Sequence, residues 1–272
     1  MNNKLFTIIV NSSDGFEDCW NPFFTLFKKY WPNNQSPVFL NTEFKNYVHS
    51  GLNIKSTKVH RGVTDRKLTW SECLIKALQQ VETPLVIYLQ EDYFLESKVN
   101  QNKIEELVDK MINEVEIKYI GLTKFGNYPP FYDYFLDENL KIVSKNSKYR
   151  VSTQAAIWRT DSLLSYLETD ENGWEFEIFG TRRAKKKNEL FLTLSPNYLN
   201  QNKVFDYQLT GIIKGKWLKT IPALFEKEKI QIDFSKRGFY KELNVFYRKI
   251  ETFKKIFYDP TKFFKKYFFN KC

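Results

Sequence analysis

The sequence predicts an α/β fold with a mostly parallel central sheet flanked by helices. Three observations carry this prediction. Apolar runs that fit buried strands alternate with segments whose apolar residues recur every three or four positions, as in helices that pack on a sheet. The run Leu85–Leu89 is continuously apolar, which is typical of a central parallel strand. A length of 272 residues with 42% hydrophobic residues allows a large buried core.

The individual elements follow from the same patterns. Turn-forming residues close the first strand, and Thr69 or Ser71 stands where a helix N-cap is expected. The predicted strands are Leu5–Val10, Pro37–Leu40, Leu85–Leu89, Tyr119–Thr123 and Gln154–Trp158. The predicted helices are Asp18–Tyr30, Trp70–Val81, Lys103–Val115, Ser162–Leu167, a segment entered by a turn at Gly173–Ile178, and Thr181–Leu192.

Cysteine and histidine are scarce, which narrows the possible chemistry. The cysteines Cys19, Cys73 and Cys272 lie far apart and form no CxxC pair. This argues against a disulfide scaffold and a thiolate zinc site, and fits a reducing compartment. His49 and His60 leave little for a histidine metal site or a Ser-His-Asp triad, and the sequence assigns them no role.

The net charge of +10 is concentrated at the C-terminal end. Residues 236–272 contain eleven Lys or Arg and three acids, a net charge of +8, which leaves +2 for residues 1–235. We therefore expect a nearly neutral domain over 1–235 and a basic aromatic tail over 236–272.

The tail has the pattern of a basic amphipathic helix. Apolar residues recur every three or four positions from Phe239 to Phe257, with lysines and arginines mainly off that face. Such a helix suits attachment to anionic lipid, and the alternative is that it packs on the domain or on a second subunit. No run approaches the roughly 20 apolar residues that span a bilayer. We expect a cytoplasmic protein, peripheral on the inner face of the cell membrane.

Two polar clusters follow predicted strands: Asn11–Asp14 after the first, and Gln90-Glu91-Asp92 after the central one. In open α/β sheets, ligands bind beyond the carboxyl ends of the strands. A carboxylate at this edge can hold a hard divalent cation, which in turn neutralises a diphosphate. The competing interpretation of Glu91 and Asp92 is an ordinary polar strand end.

These clusters give the chain a family resemblance over about residues 4–220. It resembles the GT-A-fold glycosyltransferases that assemble bacterial surface polysaccharides from nucleotide sugars. The resemblance rests on Ile8-Ile9-Val10-Asn11-Ser12-Ser13, on the unit from Trp70 through Leu85–Leu89 to Gln90-Glu91-Asp92, and on Trp174-Glu175-Phe176-Glu177 after Gln154–Arg159.

The resemblance implies a GT-A-like, Rossmann-type sheet and a donor site that uses a UDP-sugar. The donor-binding residues would be Asn11, Ser12, Asp14, Glu91, Asp92, Lys214 and Lys216. Gln90-Glu91-Asp92 occupies the place of the family's DXD motif, so Asp92 would contact Mn²⁺ or Mg²⁺. Because the first Asp of DXD is missing, the strength of the metal dependence stays open.

The same resemblance implies a carboxylate base for the acceptor hydroxyl. Glu177 is preferred to Glu175, and Trp174 and Phe176 flank the pair and could raise its pKa by desolvation. The alternative is a helix start whose acids favour the dipole. Gln154, Trp158 and Trp174 are the predicted acceptor-binding residues.

Basic residues elsewhere are weaker candidates for phosphate contacts. The Gly211–Trp217 segment lacks the spacing of a P-loop, and is either a loop that covers the donor or a surface hairpin. Arg61, Arg66 and the pair Arg182 and Arg183 fit solvated surface positions better.

The predicted function is transfer of a sugar from a nucleotide sugar to a saccharide or lipid-linked acceptor in cell-surface polysaccharide synthesis. Nucleic-acid binding through the tail is an alternative, although the nearly neutral domain argues against a nucleic-acid partner. A catalytically inactive sugar-binding relative is another, because the acidic motif is imperfect. The oligomeric state stays open between a monomer and a homodimer.

Overall fold

A nine-stranded sheet forms the centre of the protein. The structure, a computed structural model, describes residues 5–62, 66–242 and Lys266. The strands are β1 (Phe6–Asn11), β2 (Val38–Leu40), β3 (Ile54–Ser56), β4 (Leu85–Gln90), β5 (Ile117–Gly121), β6 (Phe131–Asp133), β7 (Leu140–Val143), β8 (Ala156–Arg159) and β9 (Leu190–Leu194). A separate two-stranded hairpin pairs β10 (Ile212–Ile213) with β11 (Lys216–Trp217).

The strand order is β3-β2-β1-β4-β8-β5-β9-β7-β6. Strands β7 and β8 run against the direction that the other strands of this sheet share. The predicted α/β class with a mostly parallel sheet is therefore confirmed. β1 and β4 are parallel neighbours in which Val10 is opposite Leu89 and Asn11 is opposite Gln90. Both predicted polar clusters thus begin at one edge of the sheet.

Helices cover both faces of this sheet. They are α1 (Glu17–Tyr30), α2 (Trp70–Leu78), α3 (Gln101–Asn113), α4 (Thr160–Tyr166), α5 (Gly173–Lys186), α6 (Pro196–Gln201) and α7 (Ile221–Lys227). α1, α3 and α7 pack on the face that carries Ile8 and Ile87, whereas α2, α4 and α5 pack on the face that carries Ile9 and Val86. Adjacent residues of one strand reach opposite cores because side chains alternate along a strand.

Two of these helices begin at capping boxes, which satisfy the first backbone N–H groups. Thr69 caps α2 and accepts a hydrogen bond from the Glu72 amide, so Thr69 and not Ser71 is the cap. Asn172 caps α5 in the same way with Glu175. The second box fixes where the helix that carries both predicted catalytic carboxylates begins.

The prediction of a helix over Thr181–Leu192 is wrong at its C-terminal end. α5 is continuous to Lys186, and Leu190–Leu194 is strand β9, between β5 and β7. The buried guanidinium of Arg150 donates to the carbonyls of Ala184 (3.0 Å) and Glu189 (2.6 Å), on either side of this change. Arg150 is more than thirty residues from both carbonyls, so local apolar periodicity could not predict where the helix ends.

Most of the predicted tail, namely residues 243–265 and 267–272, lies outside the described residues. The part that is described packs on the domain: the Trp217 amide donates to the Gly238 carbonyl (3.0 Å), and the Tyr240 amide donates to the Trp217 carbonyl (2.8 Å). Lys266 pairs with Asp170 and, at 3.2 Å, with Glu171. Within the described part of the chain, no helix has the length and apolarity needed to cross a membrane.

Candidate active site

A cavity of about 580 Å³ opens where β1 and β4 end. The segment Asn11–Ser13 and the segment Gln90–Asp92 form its floor. The start of α5 (172–174) and the segment Thr210–Gly215 form two of its walls, and Phe16 and Trp70 also line it. The volume lies in the ordinary range for small-molecule sites, and the position is where open α/β sheets bind ligands.

Asn11 and Ser12 shape the floor through hydrogen bonds to neighbouring elements. The buried Asn11 side chain donates to the Tyr88 hydroxyl (3.1 Å) and accepts from Asn41 (2.8 Å). The Trp20 indole donates to Ser12 Oγ at 2.8 Å. These contacts hold the β1–α1 loop in a defined position beneath the cavity.

Asp14, predicted to bind the donor, lies outside the cavity lining, and its carboxylate is engaged elsewhere. Its carboxylate accepts hydrogen bonds from the backbone amides of Glu43 (2.9 Å), Phe44 (3.0 Å) and Lys45 (3.2 Å). The side chain therefore ties the segment after β2 to the β1–α1 loop. The sequence could not show this, because the segment that folds back is some thirty residues away.

Asp92 divides its two oxygens between two environments. Oδ2 accepts hydrogen bonds from the Thr210 hydroxyl and from the amides of Gly211 (3.2 Å) and Ile212 (3.0 Å). Oδ1 is buried and has no hydrogen-bond partner. A buried oxygen left without a partner is costly and needs an explanation. Since Asp92 lines the cavity, a cation bound there would satisfy this oxygen, so the residues present fit a divalent metal.

The neighbouring Glu91 increases the negative potential of the same region. It is 8% exposed and lines the cavity. Burial, and then the charge of Asp92, raise the pKa of Glu91 well above its usual value. Burial also raises the pKa of Asp92. Two adjacent buried carboxyl groups with raised pKa values are typical of a functional site.

The β10–β11 hairpin places one lysine at the cavity and turns the other away. Lys214 and Gly215 form its two-residue turn, both with positive φ (52° and 73°), as a tight hairpin requires. Both residues line the cavity. Lys216 is exposed on β11 and outside the lining, so its predicted role in donor binding is not supported. The hairpin, one of the two alternatives that the sequence left open, therefore decides which lysine lies at the cavity.

Arg237 joins this hairpin to the β1–α1 loop. Its guanidinium forms a bidentate ion pair with Asp18 (Nε to Oδ2, 2.6 Å) and donates to the carbonyls of Gly15 (2.6 Å) and Gly215 (3.4 Å). It also lies over the Phe16 ring. The sequence predicts Arg237 to be part of the basic tail, because its ion-pair partner Asp18 is 219 residues away along the chain.

The two predicted catalytic carboxylates have different surroundings. Glu175 is engaged in the capping box of α5. Glu177 Oε1 accepts hydrogen bonds from the Thr153 amide (2.8 Å), the Thr153 hydroxyl (2.9 Å) and the Ser152 hydroxyl (3.3 Å). Burial raises the pKa of Glu177. Glu177 is outside the cavity lining, although Trp174, one helical turn earlier, is part of it.

The predicted acceptor residues divide into accessible and buried positions. Gln154 donates to the Tyr93 hydroxyl (3.0 Å) and accepts from the Tyr207 hydroxyl (3.1 Å), which fixes its amide next to a stacked tyrosine pair. Trp158 is fully buried among aromatic rings on the α2 side of the sheet. No part of Trp158 can contact an acceptor, so that prediction is wrong. Alternation along β8 placed this side chain in the core.

The arginines considered for phosphate contacts lie outside the cavity lining. Arg66 pairs with Glu72, and Arg61 is exposed. Arg183 forms a bidentate pair with the fully buried Glu171 (2.7 and 2.6 Å). The Arg183 pair anchors the loop before α5 and thereby one wall of the cavity.

Comparisons with known proteins identify similar folds. No protein-family model and no curated protein matches the chain. It resembles two structures of S. aureus TarS at 17% identity, with TM-scores of 0.42 and 0.47. These matches cover 70% and 76% of this chain, which spans 58% and 37% of the TarS chains.

A third similar structure is glucosyl-3-phosphoglycerate synthase from Mycobacterium tuberculosis, crystallised with Mn²⁺, UDP and glucosyl-3-phosphoglycerate. The identity is 11% and the TM-score 0.44, over 75% of this chain and 72% of that one. These neighbours are GT-A-type glycosyltransferases, the class that the sequence resembles. At such identities the likeness concerns the fold alone.

Replacement of Glu91 by Gln should stabilise the metal-free protein at neutral pH. Between the unfolded-state pKa of about 4.3 and the raised native pKa, the native protein keeps a proton that the unfolded chain has lost, so stability falls as the pH rises. Glu91→Gln removes this penalty. Urea unfolding in the presence of a chelator should show a larger free energy of unfolding for Glu91→Gln than for wild type at pH 7. This difference should become smaller towards pH 4. Glu226→Gln, at an exposed carboxylate, is the control; a Glu91→Gln variant less stable than wild type at pH 7 would contradict the prediction.

Replacement of Arg237 by Ala should loosen the hairpin over the cavity. It removes the hydrogen bonds to Asp18 and to two carbonyls, and a hydrogen bond with a charged partner contributes about 1.5–3 kcal/mol. We expect a loss of that size in the free energy of unfolding, with faster amide hydrogen exchange over residues 211–217. Lys236→Ala, which removes the adjacent exposed charge, should leave both measurements unchanged. Equal effects of the two substitutions would show that the contacts of Arg237 do not hold the hairpin in place.

Proposed function

We propose that this chain is a glycosyltransferase that transfers a sugar from a nucleotide sugar, a UDP-sugar, to a saccharide or lipid-linked acceptor in cell-surface polysaccharide synthesis. The observation that carries the proposal is the unpartnered, buried Asp92 Oδ1. Asp92 lines a cavity at the ends of two parallel strands, and so does Lys214 in the turn of the hairpin. This arrangement provides a place for a diphosphate and for the cation that accompanies it.

The donor would lie along the floor of the cavity. Ser12 and Ser13 provide polar groups at the end of β1, and Phe16, Trp70 and Trp174 provide aromatic surface. Aromatic rings suit both the base and the apolar face of a sugar. Lys214, on the hairpin wall, would meet the negative charge of the diphosphate.

Asp92, with Glu91 beside it, would hold Mn²⁺ or Mg²⁺. When bound, such a cation neutralises the charge that develops on the departing diphosphate. Its presence would also favour the ionised form of both carboxyl groups, against the effect of burial. The hydrogen bonds that Oδ2 receives from the Thr210 hydroxyl and from the amides of Gly211 and Ile212 hold the carboxylate in place.

Glu177 is the proposed general base. In an inverting transfer it would accept the proton of an acceptor hydroxyl while that oxygen forms a bond to the anomeric carbon and the nucleoside diphosphate leaves. Hydrogen bonds from Thr153 fix the carboxylate, and its raised pKa moves it towards the range in which a general base works best. Glu175 is occupied in the capping box, which favours Glu177.

The acceptor would approach from the side of Trp174 and Gln154. Trp174 lines the donor cavity and is three residues from Glu177 on α5, so one face of the helix connects donor and base.

For the tail, we propose that residues 236–272 attach the domain, residues 1–235, to the anionic inner surface of the cell membrane. Support for the attachment is the tail's charge of +8.

Donor binding can be tested by calorimetry with a panel of UDP-sugars, with and without Mn²⁺. Asp92→Asn keeps an oxygen for Thr210 and the two amides but removes the charge, so Mn²⁺-dependent affinity should fall at least about 10-fold. Asp133→Asn, at an exposed carboxylate far from the cavity lining, should bind as wild type does. Unchanged binding in Asp92→Asn would remove the support for the metal assignment.

Turnover separates an enzyme from an inactive sugar-binding relative. Glu177→Gln should lower the transfer rate by about 10²–10⁴-fold, the contribution of a general base, while donor affinity stays unchanged. Glu175→Gln is the matched control, because a glutamine maintains the capping box while the same charge is lost two residues away. Equal losses in both variants would exclude Glu177 as the base. Donor binding by wild type without any turnover would instead identify a sugar-binding protein.

A further inference from the structure

Three potential metal ligands meet outside the proposed active site. Glu43 follows β2, His60 lies in the turn after β3, and Cys73 is in the first half of α2. Their ligand atoms, a carboxylate oxygen, an imidazole nitrogen and a thiol sulfur, all lie within 4.8 Å of one another. None of the three lines the cavity at the ends of β1 and β4.

We propose that Glu43, His60 and Cys73 form a binding site for a borderline divalent cation, for which zinc is the best fit. Sulfur, nitrogen and oxygen ligands together suit Zn²⁺, whereas Mg²⁺, Ca²⁺ and Mn²⁺ prefer oxygen alone. Three protein ligands leave one position of a tetrahedral site for water. This site is distinct from the hard, all-carboxylate pair at Glu91 and Asp92.

The charges of the site balance when such a cation binds. His60 and Cys73 are 4% and 8% exposed, so an uncompensated charge there would be costly. A divalent cation with one thiolate, one carboxylate and a neutral imidazole has no net charge. On binding, the Cys73 S–H bond breaks, the sulfur forms a bond to the metal and the proton passes to solvent. Burial and the nearby carboxylates raise the pKa of the Cys73 thiol to about 11.

The protein already holds two of the ligands in place. The Glu43 amide donates to Asp14 Oδ1 (2.9 Å), and the Asp14 amide donates to Glu43 Oε2 (3.2 Å). The remaining oxygen, Glu43 Oε1, is 3.9 Å from His60 Nε2. The His60 amide donates to the Glu43 carbonyl at 3.0 Å. Hydrogen bonds of this kind orient ligands in known metal sites.

The metal-free state has its own hydrogen bond at the imidazole. The Leu68 amide donates to His60 Nε2 at 3.2 Å, so a cation at this nitrogen replaces Leu68 as its partner. Leu68 stands two residues before α2, whose first residue, Trp70, lines the proposed active site. The cation would therefore connect the loop after β2, the turn after β3 and α2 behind one wall of that cavity.

Cobalt titration of the chelator-treated, full-length protein tests this proposal. Co²⁺ bound to a thiolate gives a charge-transfer band in the near ultraviolet, which carboxylate-bound Co²⁺ at Asp92 does not. We expect one equivalent of Co²⁺ to produce this band in wild type and Zn²⁺ to abolish it by displacement. The absence of the band in wild type would overturn the proposal without reference to any variant.

Cysteine variants identify the sulfur. Cys73→Ser should abolish the band and weaken Co²⁺ binding by more than the 10–100-fold typical for loss of an outer hydrogen-bond partner. Cys19→Ser, at the other buried cysteine that the structure describes, and Cys272→Ser should both retain it. Glu43→Gln should weaken binding and leave the band in place at saturation. A band that survives in Cys73→Ser would exclude this site, whatever the outcome of the sugar-transfer assays.

Discussion

Parallel pairing of β1 and β4 is the constraint on which the proposed active site depends. Because Asn11 lies opposite Gln90, the two chains leave the sheet side by side, and their polar continuations form one floor. Both strands are buried on both faces, so their register cannot slip without moving every apolar side chain to the wrong core. The position of Asp92 is thus a consequence of how Ile8, Ile9, Ile87 and their neighbours pack.

Hydrogen bonds from two charged side chains then position the hairpin beside this floor. Asp92 binds the base of the hairpin through the amides of Gly211 and Ile212, and Arg237 binds its tip through the carbonyl of Gly215. Gly211 allows the backbone before the hairpin to lie close to Phe94, since a Cβ at this position would be 2.4 Å from the Phe94 ring. The carboxylate that holds this wall in place therefore belongs to a residue that also lines the cavity.

Two kinds of cation site would then serve different purposes in this molecule. The carboxyl groups of Glu91 and Asp92 suit a hard ion that arrives with a phosphorylated ligand, whereas Glu43, His60 and Cys73 suit a softer ion that remains with the protein. Asp14 connects the two regions, because it fixes the backbone of Glu43 and lies in the loop that also supplies Ser12 and Ser13. A residue first considered for donor binding is in this structure a link between loops.

Local signals were enough to predict the α/β class, the first strands and helices, and the acidic cluster after β4. These signals are apolar periodicity, N-caps and polar residues at strand ends. The sequence did not reveal β9, the burial of Trp158 or the ion pair between Arg237 and Asp18. These features depend on tertiary contacts. Arg150 donates to the carbonyl of Ala184 near the end of α5, the rings of Tyr119 and Phe191 from two other strands pack on Trp158, and Arg237 pairs with Asp18. Each depends on contacts between segments far apart in the chain, and such contacts leave no periodic trace in the sequence.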